Sequence, residues 1–160
     1  MEIEELSQEI AKALVEQSWK LAVAESCTGG WIAKSLTDLA GSSAWFDRGF
    51  VTYSNQAKID MLGVEEQILS RFGAVSEQVA LQMAHGSVQR SLADIGVSVT
   101  GIAGPSGGST EKPVGTVCFA WAEKNEANRV ETKHFDGDRE SVRHQSVVHA
   151  MAGVVKMIKR

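Results

Sequence analysis

Leu21-Ala22-Val23-Ala24 runs into Glu25-Ser26-Cys27-Thr28-Gly29-Gly30 and then into Trp31-Ile32-Ala33-Lys34-Ser35-Leu36. The apolar run reads as a short buried strand and the segment after the glycines as the start of a helix. A buried strand that turns directly into a helix is the building unit of an α/β fold. The junction also places a hydroxyl where backbone N–H groups are unpaired and the helix dipole favours negative charge. Two readings follow. Ser26 or Thr28 caps the helix, or Ser26 is a nucleophile with a ready place for an oxyanion.

Working outward, Ile3, Leu6, Ile10, Ala13 and Leu14 recur at helical spacing, which predicts a helix over 3–18 before a strand at 19–25. A helix over 28–40 stops at Gly41, a strand runs from Phe46 to Tyr53, and short helices end at Gly63 and Gly73. Ser76 caps a long helix through Leu92, with Leu81, His85, Val88, Leu92 and Ile95 as its stripe. Strands follow at 95–100, 114–122 and 129–135, the last two joined through a turn at Asn125-Glu126-Ala127-Asn128 as a hairpin. Asp138 caps a final helix striped by Val147, Met151, Val154 and Ile158. The alternation predicts a single α/β domain over 1–160, a three-layer α/β/α architecture, and the hairpin makes its sheet mixed.

Composition sets the bounds. The chain has 160 residues, 43% hydrophobic and 22% charged, with a formal charge of −4, as in an ordinary globule with one core. Lys and Arg are scattered, so no nucleic-acid partner is indicated. No apolar run approaches the length of a membrane span, and the acidic start Met1-Glu2-Ile3-Glu4-Glu5 is unlike a secretory signal. Cys27 and Cys118 alone make no disulfide framework. A soluble protein of the reducing cytoplasm is the expectation.

Three further segments carry chemistry. In Thr52-Tyr53-Ser54-Asn55-Gln56-Ala57-Lys58, Tyr53 ends a strand and Lys58 begins a helix. A desolvated lysine can take the proton of a serine, and a tyrosine can hold the lysine or relay the proton. The alternative is a solvated lysine and a half-buried packing tyrosine. Thr100-Gly101-Ile102-Ala103-Gly104-Pro105-Ser106-Gly107-Gly108-Ser109 leaves a strand end, where α/β proteins bind ligands, and its glycines permit close backbone approach. It is neither a Walker loop nor a dinucleotide fingerprint, and the alternative is a mobile surface loop. Arg139 and Arg143 share one face at the start of the last helix, placed either to capture phosphate or carboxylate or to pair with Asp138 and Glu140.

Other constellations fail. Ser109-Thr110-Glu111-Lys112 has Ser-x-x-Lys letters but lies in a loop and meets Pro113. His85, His134, His144 and His149 lack metal-site spacing, so no metal is expected. Cys27 is a rival nucleophile to Ser26, or else a small buried residue.

Taken together and in order, Ala24-Glu25-Ser26-Cys27-Thr28-Gly29-Gly30, Gly41-Ser42-Ser43, Gly49-Phe50-Val51-Thr52-Tyr53-Ser54-Asn55 with Lys58, Gly73-Ala74-Val75-Ser76, Gly101-Ile102-Ala103-Gly104-Pro105 with Gly107-Gly108, Lys112-Pro113-Val114-Gly115-Thr116-Val117 and Gly137-Asp138-Arg139 resemble the CinA C-terminal domain family. The likeness spans about the whole chain, and its spaced motifs are far more specific together than singly. The family is known for nicotinamide mononucleotide (NMN) amidohydrolases, and its longer members carry an additional N-terminal nucleotide-hydrolysing domain. The present chain looks like the standalone form.

The resemblance implies a working set of Ser26, Tyr53 and Lys58, and a pyridine mononucleotide as small-molecule substrate, with no cofactor and no metal. On that basis the oxyanion falls to backbone groups at Cys27, Thr28 and Gly29. Substrate binding falls to Thr100, Gly101, Gly104, Gly107 and Gly108, with Arg139 first and Arg143 second for the 5′-phosphate. A homodimer is expected from the resemblance alone. The alternatives are a serine amidase or esterase for another small substrate, and a nucleotide-binding regulatory module without chemistry.

Overall fold

A computed structural model describes residues 2–124 and 128–159. The elements run α1 (Ile3–Gln17), β1 (Leu21–Glu25), α2 (Trp31–Thr37), β2 (Phe46–Val51), α3 (Asn55–Leu62), α4 (Glu66–Phe72), α5 (Glu77–Gln89), β3 (Ile95–Gly101), β4 (Thr116–Glu123), β5 (Asn128–His134) and α6 (Arg139–Lys159). The sheet order is β2-β1-β3-β4-β5. β1 pairs parallel with β2 and β3, and β4 pairs antiparallel with β3 and β5, so the sheet is mixed as expected. Most of the turn expected at Asn125–Asn128 lies outside the described residues. Among those described, no helix is long and apolar enough to cross a membrane.

The two faces of the sheet differ in side-chain size. Leu21, Val23, Val97, Val99, Val117, Phe119 and Trp121 pack with Leu6, Ile10 and Leu14 of α1, Ile32 and Leu36 of α2, and Val147, Met151 and Val154 of α6. The alternate residues of the same strands point the other way. They are small: Ala24 packs with the group around α3, α4 and Met83, and Cys118, Ala120 and Ala122 pack with Ala80 and Ala84 of α5. Helices on both faces explain why β1 and β4 are buried along their whole length.

The small face corrects the reading of α5. Its buried residues are Val79, Ala80, Met83, Ala84, Gly86, Ser87 and Val88. Of the expected stripe only Val88 belongs to that set, and Leu92 lies beyond the helix at 72% exposure. Alanine, glycine and serine let the helix backbone settle against the sheet, and the Ser98 hydroxyl donates to the Ala80 carbonyl. A Leu-based stripe would hold the helix too far off.

Two helix caps expected from the sequence are present, and Ser54 adds one that was not. Ser76 accepts from the Val79 N–H at 3.2 Å, and Ser54 accepts from the Ala57 N–H at 3.0 Å. Asp138 accepts from the Ser141 N–H at 2.9 Å. Helix α2 is shorter than the expected 28–40. It opens only after Gly30, whose φ of 101° suits glycine, and ends at Thr37.

Candidate active site

The carboxyl ends of β1, β2 and β3 lie side by side because all three strands run parallel. The chain leaves β1 towards α2 on one face and leaves β2 towards α3 on the other, which opens a crevice at the strand ends. A cavity of about 310 Å³ occupies it, lined among others by Ser26, Tyr53, Asn55, Lys58, Thr100 to Gly104, Ser106, Gly107 and Arg139.

Ser26 is the first residue after β1, and its N–H donates to the Val99 carbonyl at 3.0 Å, which ties the turn to β3. Lys58 comes from α3, where Lys58 and Leu62 are the buried positions, four apart and therefore on one face. The lysine is 1% exposed. Its Nζ donates to Ser26 Oγ at 2.9 Å, to the Thr52 carbonyl at 2.8 Å and to the Tyr53 carbonyl at 3.4 Å. Burial without a carboxylate partner pulls its pKa from 10.5 down to about 8. A neutral amine has two N–H donors and one lone pair. In the neutral form the two carbonyls can take both donors, which leaves the lone pair available to the serine hydroxyl.

Cys27 is buried, and burial pushes its thiol pKa up to about 12. The thiolate is the reactive form of cysteine, so this environment favours Ser26 over its neighbour.

The expectation that the α2 amides await an oxyanion needs correction. The carboxylate of Glu25, itself fully buried, accepts from the Ile32 N–H at 2.9 Å, the Ala33 N–H at 3.0 Å and the Thr28 hydroxyl at 2.7 Å. Neither Ser26 nor Thr28 caps the helix; Glu25 fills that place from the end of β1. The Gly29 N–H donates to the Ser26 carbonyl at 3.1 Å, so it closes the turn. Among the described residues, the N–H groups of Cys27 and Thr28 donate to no carbonyl.

Tyr53 reaches Lys58 through its carbonyl. The residue is 63% exposed, and its phenol accepts instead from Arg139 Nη2 at 3.3 Å. Arg139 Nη1 also donates to the Gly104 carbonyl at 2.7 Å, so the arginine spans the pocket mouth between two strand ends. Arg143, expected beside it as a substrate ligand, is absent from the pocket lining. It donates to the carbonyls of Cys27 at 3.1 Å and Thr28 at 3.3 Å. Thr100 lines the cavity, but its hydroxyl donates to the Ala74 carbonyl at 2.9 Å. Gly101, Gly104 and Gly107 line the cavity, whereas Gly108 is packed against Val114. Asn55, Ala74 and Val75 are lining residues that sequence reasoning did not name for the site, whereas Ser106 lies within the loop it selected. Asn55 is the first residue of α3, directly after its cap Ser54.

Architecture and crevice together define a three-layer α/β protein with a buried serine–lysine pair at the end of its central parallel strands. The chain belongs to the CinA C-terminal domain family, whose pattern matches residues 3–158. It is 57% identical, over 93% of its length and 91% of the relative's, to nicotinamide-nucleotide amidohydrolase PncC of Enterobacter agglomerans. Against the protein of the same name from Escherichia coli K12 the identity is 52%, over 94% of this chain and 91% of that one. Among solved structures, the competence/damage inducible protein CihA from Agrobacterium tumefaciens superposes with a TM-score of 0.95 at 48% identity, covering 99% of this chain and 96% of that one.

Proposed function

We propose that this chain, as a single domain, is an amidohydrolase that converts NMN and water to nicotinate mononucleotide and ammonia. The names of its PncC relatives support the substrate. The observation that carries the chemistry is Lys58 Nζ lying 2.9 Å from Ser26 Oγ with only carbonyls as its other partners.

In the proposed reaction neutral Lys58 takes the hydroxyl proton as Ser26 Oγ bonds to the carboxamide carbon. The oxyanion is held by the Cys27 and Thr28 amides. The C–N bond breaks, lysine returns the proton to the leaving nitrogen, and ammonia departs. Water, deprotonated by Lys58, then attacks the nicotinoyl ester. Its oxygen stays in the product carboxylate and the proton restores the serine. The pyridinium charge of the substrate helps to keep the nearby lysine neutral, because like charge disfavours the protonated form. Tyr53 supports Lys58 through its carbonyl and Arg139 through its phenol. Arg139, with the loop from Gly101 to Gly107, receives the 5′-phosphate. The reading includes a cytoplasmic location, in keeping with two free cysteines, and a homodimer.

Ammonia release from NMN, set beside nicotinamide and unrelated small amides, tests the proposal. Turnover of NMN with little of nicotinamide is expected. Turnover of another amide in preference to NMN would overturn the substrate. Binding of NMN with no ammonia from any amide would make the chain a nucleotide-binding module.

A further inference from the structure

Two charged side chains grip the turn that carries the nucleophile, and neither belongs to the reacting pair. Glu25 holds the Thr28 hydroxyl and the first amides of α2. Arg143, arriving from α6, binds the carbonyls of Cys27 and Thr28 through Nε and Nη2. Among the described residues no ion pair involves Arg143. Its guanidinium carbon lies 5.7 Å from the centre of the Trp31 ring, and a Cβ at Gly29 would come within 3.4 Å of its Nη2. The indole on one side and a residue without a side chain on the other hold the guanidinium against the backbone.

The peptide bond turns this grip into a constraint on the reaction. A trans peptide is planar, so the carbonyl of Cys27 and the N–H of Thr28 are opposite ends of one rigid unit. Fixing the carbonyl fixes the direction of that N–H. Thr28 is held at its hydroxyl by Glu25 and at its carbonyl by Arg143 and the Trp31 N–H. Its own N–H is the one polar group of the residue that no other described group takes up. A cation on the carbonyl also polarises the peptide and strengthens its N–H as a donor.

We propose that Arg143 is a positioning residue: it fixes and polarises the Cys27–Thr28 peptide so that the Thr28 N–H serves the oxyanion formed on Ser26. The inference rests on the amidohydrolase reading of the same site. It differs from a phosphate-binding role for Arg143, and it concerns the transition state rather than substrate affinity.

The test compares wild type, Arg143→Lys, Arg143→Met and Arg139→Met. One readout is kcat and KM for NMN and for its dephosphorylated riboside, and the other is the rate at which a fluorophosphonate modifies Ser26. Phosphonylation builds negative charge on oxygen at the same place and needs no NMN turnover. Removing an oxyanion donor outright lowers kcat by about 10²–10³-fold. Loosening one, in Arg143→Met, is expected to lower kcat by about 10- to 100-fold with little change in KM. The nucleotide-to-riboside preference should stay unchanged, and labelling should slow in parallel. Arg143→Lys, which keeps a cationic donor, should recover part of both rates. A purely structural role would lower the folded fraction without changing either rate per folded molecule. Normal kcat and labelling in folded Arg143→Met would therefore overturn the proposal, as would a raised KM with loss of the nucleotide preference. A wild type that is labelled but releases no ammonia would refute the substrate and leave the labelling comparison to decide Arg143. A wild type neither labelled nor active would overturn both.

Discussion

Lys58 offers two independent readouts of one property. Desolvation takes its pKa from 10.5 to about 8. At about 1.4 kcal/mol per pKa unit, the protonated amine costs the folded state about 3 kcal/mol relative to the unfolded chain. The unfolded chain binds the proton more tightly, so stability rises with pH between about 8 and 10.5. The penalty is fully present below that window and absent above it. Lys58→Met lacks the titrating group. Urea unfolding of both proteins across the window should show wild type gaining about 3 kcal/mol relative to the variant, other titrations cancelling. Catalysis should follow the same ionisation. With a pKa of about 8, roughly one lysine in ten is neutral at about pH 7 and nine in ten at about pH 9. Ammonia release under kcat/KM conditions should rise close to tenfold over that range and then level. Lys58→Arg keeps the charge but cannot supply the lone pair, and it should fail almost as badly as Lys58→Ala. An inflection near the ordinary lysine value, a flat stability difference, or near-normal turnover by Lys58→Arg would refute lysine as the base.

Arg139→Ala should raise KM for NMN, with a loss of about 2–5 kcal/mol in kcat/KM for removing one side of a charged contact. The gap between NMN and its riboside should narrow, whereas an equal loss on both would mean Arg139 shapes the site without reading phosphate. Away from the site, a Cβ at Gly153 would overlap the Trp121 indole, whose N–H donates to the Ala150 carbonyl at 3.0 Å. Gly153→Ala should therefore cost about 1–3 kcal/mol of stability and lower the urea midpoint accordingly, and a variant as stable as wild type would show that this helix–sheet contact relaxes freely.

The layer architecture was legible because strand runs such as Leu21 to Ala24 and stripes such as Val147, Met151, Val154 and Ile158 carry their period in the chain itself. The buried face of α5 was not. Its contact with the sheet is built from alanine, glycine and serine, which have little hydrophobic contrast, while Leu81 and Leu92 drew attention to the wrong side. At the site, Ser26 was legible as a hydroxyl at a strand end, and Lys58 and Arg139 as cations at helix starts. The parts written in backbone groups were hidden. A buried Glu25 directed at amides, and an Arg143 directed at carbonyls, depend on where the α2 and α6 backbones pass the turn. Residue type alone suggested an anion for Arg143, and only the fold reveals carbonyls as its partners. Tyr53 divides the same way, its carbonyl touching Lys58 while its phenol meets Arg139.

Ammonia release from NMN by purified Ser26→Ala, measured beside Cys27→Ala under identical conditions, tests the central claim most directly. The account predicts that Ser26→Ala loses at least about 10³-fold in kcat, as expected when a nucleophile is removed. Cys27→Ala, which deletes a buried thiol held far from ionisation, should keep most of its turnover. Substantial activity in Ser26→Ala together with loss in Cys27→Ala would contradict the account and move the nucleophile to the neighbouring residue.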